Sequence, residues 1–201
     1  MDVHRIPALA CFQRFVPAMK ELWRVELSEQ QRWSRVAELL PMLLEDPELR
    51  ARAATWDLTR GKDGKHTNLL FYEDPDHGFV INGLVKGPSG VTPVHDHAHT
   101  WTAYSVIYGS EDVIRMRLDH DVPPGQVARI TETSRYTVKP GFIDVVPPGM
   151  LHMERVGDAK TTAIIVRSAR VGGFEQRMWN NRTHEHFIDK GPQQVPFDPG
   201  A

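Results

Sequence analysis

The 201-residue chain holds a single cysteine, Cys11. It cannot close an internal disulfide, and zinc sites built from several cysteines are excluded with it. No stretch approaches the ~18 consecutive apolar residues of a membrane-spanning helix. The opening MDVHRIPALACF has no long apolar run behind a basic region, so a secretory signal is not expected. Nor does charge of one sign dominate: 24 Lys and Arg stand against 26 Asp and Glu, for a net charge of −2. That balance gives no basic surface for nucleic acid and no cationic block for an anionic membrane. Internal repeats and low-complexity segments are missing too. With 40% hydrophobic residues the chain can bury a core, which excludes a disordered protein. The expectation is one soluble, cytoplasmic domain, monomeric or homodimeric. What the sequence has in excess is histidine, ten in all.

The texture changes near residue 60. Before it, apolar residues recur at three- and four-residue spacing over 18–25 and 34–44. Ser28 followed by Gln31 fits a capping box, Pro41 ends or kinks a helix, and Asp46-Pro47-Glu48 reads as another helix start. Two or three helices are expected up to about Trp56. After it come turn signals at 61–64, 73–76, 87–90, 123–125, 139–141 and 147–149. Short β-rich runs lie between them, at 79–85, 101–108, 112–118, 126–131, 134–138, 142–146 and 161–167. Short strands at even spacing predict an all-β barrel or jelly roll. The expected division is a helical extension over 1–60, a barrel over 61–175 and a tail over 176–201. In the tail Trp179 and Phe187 are the expected anchors, and 192–201 is expected to be extended or loose.

The segment His95-Asp96-His97-Ala98-His99 concentrates the histidines. On a strand, residues two apart share a face, so all three could point into the barrel. His152, after Pro147-Pro148-Gly149, offers a donor from a second strand. A lone histidine in a strand is more often a satisfied or exposed side chain than a ligand, and His4, His66, His77, His120, His184 and His186 are read so. His95, His97 and His152 together would form a triad with open positions, suited to a catalytic divalent metal. His99 is expected in the pocket wall or behind the ligands, Asp96 outward in a structural role, and Glu154 on the face of His152, where it could orient an imidazole.

These segments resemble the two cupin motifs. The first reads Gly90-x4-His95-x-His97-x4-Thr102-x6-Gly109, the second Gly141-x5-Pro147-x-Gly149-x2-His152. Ordinary cupins carry Glu or Gln where Thr102 stands. Its absence, the Thr-Pro-Val-His-Asp-His context, and the Leu69-Leu70-Phe71-Tyr72 run resemble the thiol dioxygenase branch, which includes cysteine dioxygenase and 3-mercaptopropionate dioxygenase. The resemblance covers about residues 35–175. It implies a cupin double-stranded β-helix, an Fe(II) cofactor on three histidines, and oxidation of a small thiol by O2 to a sulfinate. The chain departs from that branch in its substrate shell. His66-Thr67-Asn68 stands where the branch has a carboxylate-binding arginine, and Arg60 lies six residues earlier. The Ser-His-Tyr relay is missing from 163–169, and Thr102 replaces the cysteine of the Cys–Tyr crosslink. Cysteine itself is therefore a poor substrate candidate.

Arg167 is the leading replacement for the missing arginine, because an interior arginine needs an anionic partner. Tyr104 and Tyr108 share the face of Thr102, and either could donate to substrate or oxygen. Arg115 and Arg117 alternate with apolar residues and are read as a solvated strand face. Trp101 and Met150 are expected to line the cavity or the core. The functional expectation is an iron dioxygenase acting on a small thiol or related small anionic molecule, with Arg167 and Tyr104 handling substrate. The alternative is a redox-neutral metal-dependent enzyme: a lyase, isomerase or hydrolase. A metal-binding sensor without turnover is the weakest reading.

Overall fold

The computed structural model describes residues 2–58 and 66–200. Arg60, the turn at 61–64 and the expected start of the barrel at residue 61 lie outside them.

Among the described residues four helices come first, with twelve strands after them: α1 (Ala10–Arg24), α2 (Glu29–Leu39), the single turn α3 (Pro41–Leu44) and α4 (Pro47–Thr55) are the helices. The capping box forms as read, with the Gln31 amide donating to Ser28 Oγ and the Gln31 side chain accepting from the Ser28 amide. Pro41 ends α2 and opens α3. The Asp46 carboxylate accepts from the Leu49 amide at 2.9 Å, so Asp46 caps α4 with Pro47 in its first turn. The helix α1 begins well before the expected Ala18. Its buried face is Cys11, Phe12, Phe15, Val16 and Met19, the spacing of an amphipathic helix.

Twelve strands follow: β1 (His66–Glu73), β2 (Val80–Lys86), β3 (Val94–His95), β4 (Thr102–Tyr108), β5 (Glu111–Leu118), β6 (Ile130–Val138), β7 (Asp144–Val146), β8 (His152–Val156), β9 (Thr161–Arg167), β10 (Gln176–Trp179), β11 (His186–Asp189) and β12 (Gln194–Pro196). They form two six-stranded sheets, in the orders β12-β1-β2-β9-β4-β7 and β11-β10-β3-β8-β5-β6. The fold is mostly β, with the helices on one side. The runs 126–131 and 134–138 are not separate strands; 130–138 pairs continuously along β5 apart from one bulge.

The first sheet is covered on both faces, so β4 is buried from Thr102 through Ile107, its polar Thr102 and Ser105 included. Its outer face, including Ala103, Ile107, Ile164 and Val166, packs on Phe12, Phe15 and Trp33 of the helices. There Gly83 is required, because a Cβ would stand 2.5 Å from the Phe71 ring and 2.9 Å from Trp56. The inner face meets the second sheet through Tyr104, Val106, Ala163 and Ile165 against Val113 and Val138.

Of the two expectations for 192–201, the extended one holds at 194–196, and the C-terminal segment pairs into the sheets. β10 pairs with β3, β11 with β10, and β12 lies parallel to β1 with Asn68 opposite Gln194. The same short segment thus supplies an edge strand to each sheet. Trp179 is buried as expected, whereas Phe187 stays partly exposed. The reason is backbone pairing: strands β1 and β10 each offer an open edge, and pairing satisfies their amides.

Candidate metal centre and substrate cavity

The two motif histidines closest in sequence do not share a strand. His95 ends β3 and stands opposite His152, the first residue of β8. The chain then leaves the sheet. Asp96 is buried and accepts from Arg177 Nε at 2.7 Å, and Ala98 adopts a φ of 50°. The Thr100 amide and hydroxyl both donate to the His97 carbonyl, at 3.0 and 2.8 Å. His95 and His97, two residues apart, face the same cavity as alternation predicts, although β3 itself ends at His95; the turn that follows His97 ends the alternation. His99 is carried outward, exposed and edge-on to Phe174 at 5.0 Å, so it does not line the cavity. Asp96 keeps its structural role, but buried under Arg177 rather than facing outward.

The ring centroids of His95, His97 and His152 lie 4.4–5.2 Å apart. One nitrogen from each falls within 4.8 Å of the others, a group that could hold a metal ion. The Nδ1 atoms are engaged elsewhere: His95 with the Pro93 carbonyl at 2.9 Å, His152 with the Met150 carbonyl at 3.1 Å, and His97 with Thr102 Oγ1 at 3.1 Å. Donation from Nδ1–H leaves each Nε2 with its lone pair free. Burial pushes the His95 imidazole down to about 4 and His97 well below its ordinary range, and neighbouring positive charge adds to both. These two rings are held neutral, the state a metal needs. The residues fit a divalent ion.

Charged groups surround the triad. Glu154 lies 3.5 Å from His152 Nε2 and accepts from Thr92 Oγ1 at 2.5 Å. Burial disfavours its charge, but Lys86 and His152 outweigh that and hold its carboxyl well below the usual range. Lys86 is fully buried and pairs with Glu111 at 2.7 Å. Glu111 also accepts from Thr161 at 3.1 Å and from the Tyr104 hydroxyl. Tyr104 does line the cavity, but its proton is committed to Glu111; burial and that carboxylate push its phenol well above the ordinary range. Tyr108 leaves the face of Tyr104 at a bulge after Val106 and is exposed.

Arg167 is 8% exposed and stands opposite Thr102 on the inner face. Its Nη1 donates to Thr102 Oγ1 at 3.3 Å, which links it to His97. Its Nε has no partner, and it makes no ion pair among the described residues. Burial lowers it to about 10, so it remains cationic at neutral pH. Arg115 is not on a solvated face. It donates to both Asp144 oxygens at 2.7 Å, while the Tyr136 hydroxyl donates to the same carboxylate at 2.7 Å. A bulge between Arg115 and Met116 separates it from the exposed Arg117. Trp101 points away from the cavity and stacks on Trp33 of α2 at 6.4 Å.

The triad opens on a cavity of about 740 Å³. It holds the three histidines, Thr102, Tyr104, Glu154 and Arg167, and reaches Gln176, Phe187 and Val195 of the C-terminal strands. Lys86, Glu111, Asp144 and Gln176 escaped the sequence reading. Lys86 closes an apolar run and Glu111 opens one, positions that look solvated until the strands are paired.

No family model matches the chain, and no curated protein does. Solved structures do resemble it. A Schizosaccharomyces pombe Cnp3 cupin domain matches 52% of this chain and 65% of its own, at 10% identity and a TM-score of 0.39. Oxalate oxidase, in complex with the substrate analogue glycolate, matches 62% and 61% at 16% identity and 0.43. An RmlC-like cupin protein from Ralstonia eutropha matches 67% and 72% at 14% identity and 0.42. The chain spans less than two thirds of the length of the first two.

Proposed function

We propose that this chain is a cupin-type metalloenzyme, an Fe(II) dioxygenase that converts a small thiol or related anionic molecule with O2. One observation carries the reading. Three histidines, two of them held neutral by burial, share a cavity with a buried arginine that makes no ion pair among the described residues. His95, His97 and His152 would hold the ion, which when bound supplies Lewis acidity and electrons for reaction with dioxygen. Three neutral ligands leave its double charge to be met by the substrate.

The chain's own residues do the rest. Arg167 receives the substrate's carboxylate, or its equivalent, beside Thr102. Thr102 couples that subsite to His97 by accepting from both. The Met150 carbonyl orients His152 through Nδ1, and Glu154, fixed by Thr92, stands beside His152 Nε2 as a proton acceptor at the edge of the triad. Tyr104 fills the cavity floor and locks Glu111 in place rather than donating to substrate. For a thiol the balance closes as RSH + O2 giving RSO2H, with sulfur oxidised and both oxygen atoms retained.

The test is anaerobic loading with Fe(II), then oxygen uptake across 3-mercaptopropionate, mercaptosuccinate, cysteamine and cysteine. Uptake with sulfinate formation, favouring acids over cysteamine, supports the reading. Stoichiometric zinc or nickel in the isolated protein, with no uptake on any thiol after iron loading, would leave the redox-neutral alternative.

A further inference from the structure

The cavity is much larger than the substrates of that reading need. A thiol of six heavy atoms, at roughly 30 Å³ for each as for a liquid water molecule, fills only a fraction of the 740 Å³ present. The excess has a direction. Every strand of the first sheet contributes lining: Val195 on β12, Asn68 on β1, Leu84 on β2, Ile165 with Arg167 on β9, Tyr104 on β4 and Val146 on β7. Arg167 lies three strands from Val195. Val195 stands opposite Leu69, Leu69 opposite Gly83 and Arg167 opposite Val80, so the two also lie three residues apart along the strands; at about 4.8 Å between strands and ~3.3 Å per residue, the path is roughly 17 Å across the sheet. Apolar side chains dominate it, and the C-terminal strands close it.

The far wall also carries an unmet polar group. Gln176 is 3% exposed, lines the cavity, and its Nε2 has no partner. It sits beneath the turn at Gly191, where a Cβ would come within 2.2 Å of that nitrogen. A buried amide N–H without an acceptor is costly, so this wall favours a ligand that brings one.

We propose that the cavity binds an elongated acid: a carboxylate on Arg167, an apolar body along Ile165 and Leu84 toward Val195, and a hydrogen-bond acceptor for Gln176. This rests on Arg167 as the anion subsite, but not on the redox reaction. An extended chain advances ~1.2 Å per bond, a third of the 3.3–3.6 Å spanned by one residue, so roughly fourteen bonds reach β12.

Calorimetric titration of the Zn(II)-loaded protein with straight-chain alkanoates of four to twelve carbons tests this without turnover. Affinity should rise between about two- and fourfold per methylene, the factor set by ~0.8 kcal/mol for full burial. Arg167→Met should weaken every acid by one common factor, Val195→Trp should flatten the rise beyond about eight carbons, and an ω-hydroxy acid should gain on Gln176 but lose that gain in Gln176→Leu. A flat series overturns the elongated ligand and leaves a water-filled entrance. A rise that is the same for alcohols and acids, or untouched by Arg167→Met, overturns the anchoring at Arg167. Either result leaves the oxygen-uptake experiment to decide the dioxygenase reading separately.

Discussion

Replacing Arg167 by methionine isolates the group on which substrate recognition turns. The side chain is 8% exposed, gives one hydrogen bond of 3.3 Å to a neutral hydroxyl, and makes no ion pair among the described residues. A charge in that position costs folding energy unless something pairs with it. Methionine keeps much of the length and apolar stem and removes the charge, so the variant should be as stable as the parent or more so. Loss of a structural ion pair would cost about 3–5 kcal/mol, or roughly 6–20 °C in melting temperature at this chain length. Binding should move the other way. Truncating one partner of a buried, hydrogen-bonded charge pair costs about 2–5 kcal/mol, so the KM for an acid should rise at least about thirtyfold. The matching amide carries no charge to lose, and its KM should change by less than about threefold. Steady-state kinetics with 3-mercaptopropionate and its amide, together with calorimetric melting, provide both readouts. Equal effects on acid and amide, or a drop of many degrees with KM unaltered, would show that Arg167 is structural.

His152→Ala should remove one of three donors and reduce bound divalent metal to well below one per chain by elemental analysis, with the far-ultraviolet dichroism of the barrel retained; stoichiometric metal would refute the triad. Lys86→Met should be far more damaging than its position at a strand end suggests, by about 3–5 kcal/mol, because Glu111 is left as an uncompensated buried charge. Urea unfolding measures it, and a cost under 1 kcal/mol would deny the pair its importance. The metal-free protein should lose stability as pH falls from about 6.5 to 4. His95 stays neutral to about 4 when folded and takes up its proton near 6.5 when unfolded, so the unfolded state binds more protons across that window. The loss should approach about 3 kcal/mol, and a flat unfolding free energy from pH 7 to 5 would contradict neutral, buried imidazoles.

Local chemistry set much of this protein on its own. The caps at Ser28 and Asp46 and the break at Pro41 lie in a few consecutive residues, and each formed as its side-chain chemistry requires. Strand positions in β2, β4, β5 and β9 followed from apolar runs between turn residues, and Arg167 shares the inward face of Ile165 by simple alternation. Other features depended on which strand lies beside which. His99 is turned out of the cavity at Ala98, a change of direction that alternation along a strand misses. The C-terminal residues gained order from β1 and β10, whose edge amides needed partners that composition does not reveal. Lys86 and Glu111 look solvated in sequence and become a buried pair only when β2, β5, β8 and β9 enclose them. The sequence alone determined the donor atoms and their spacing. Tertiary structure decided which of them face one cavity, because burial and long-range pairing are properties of the assembled sheets.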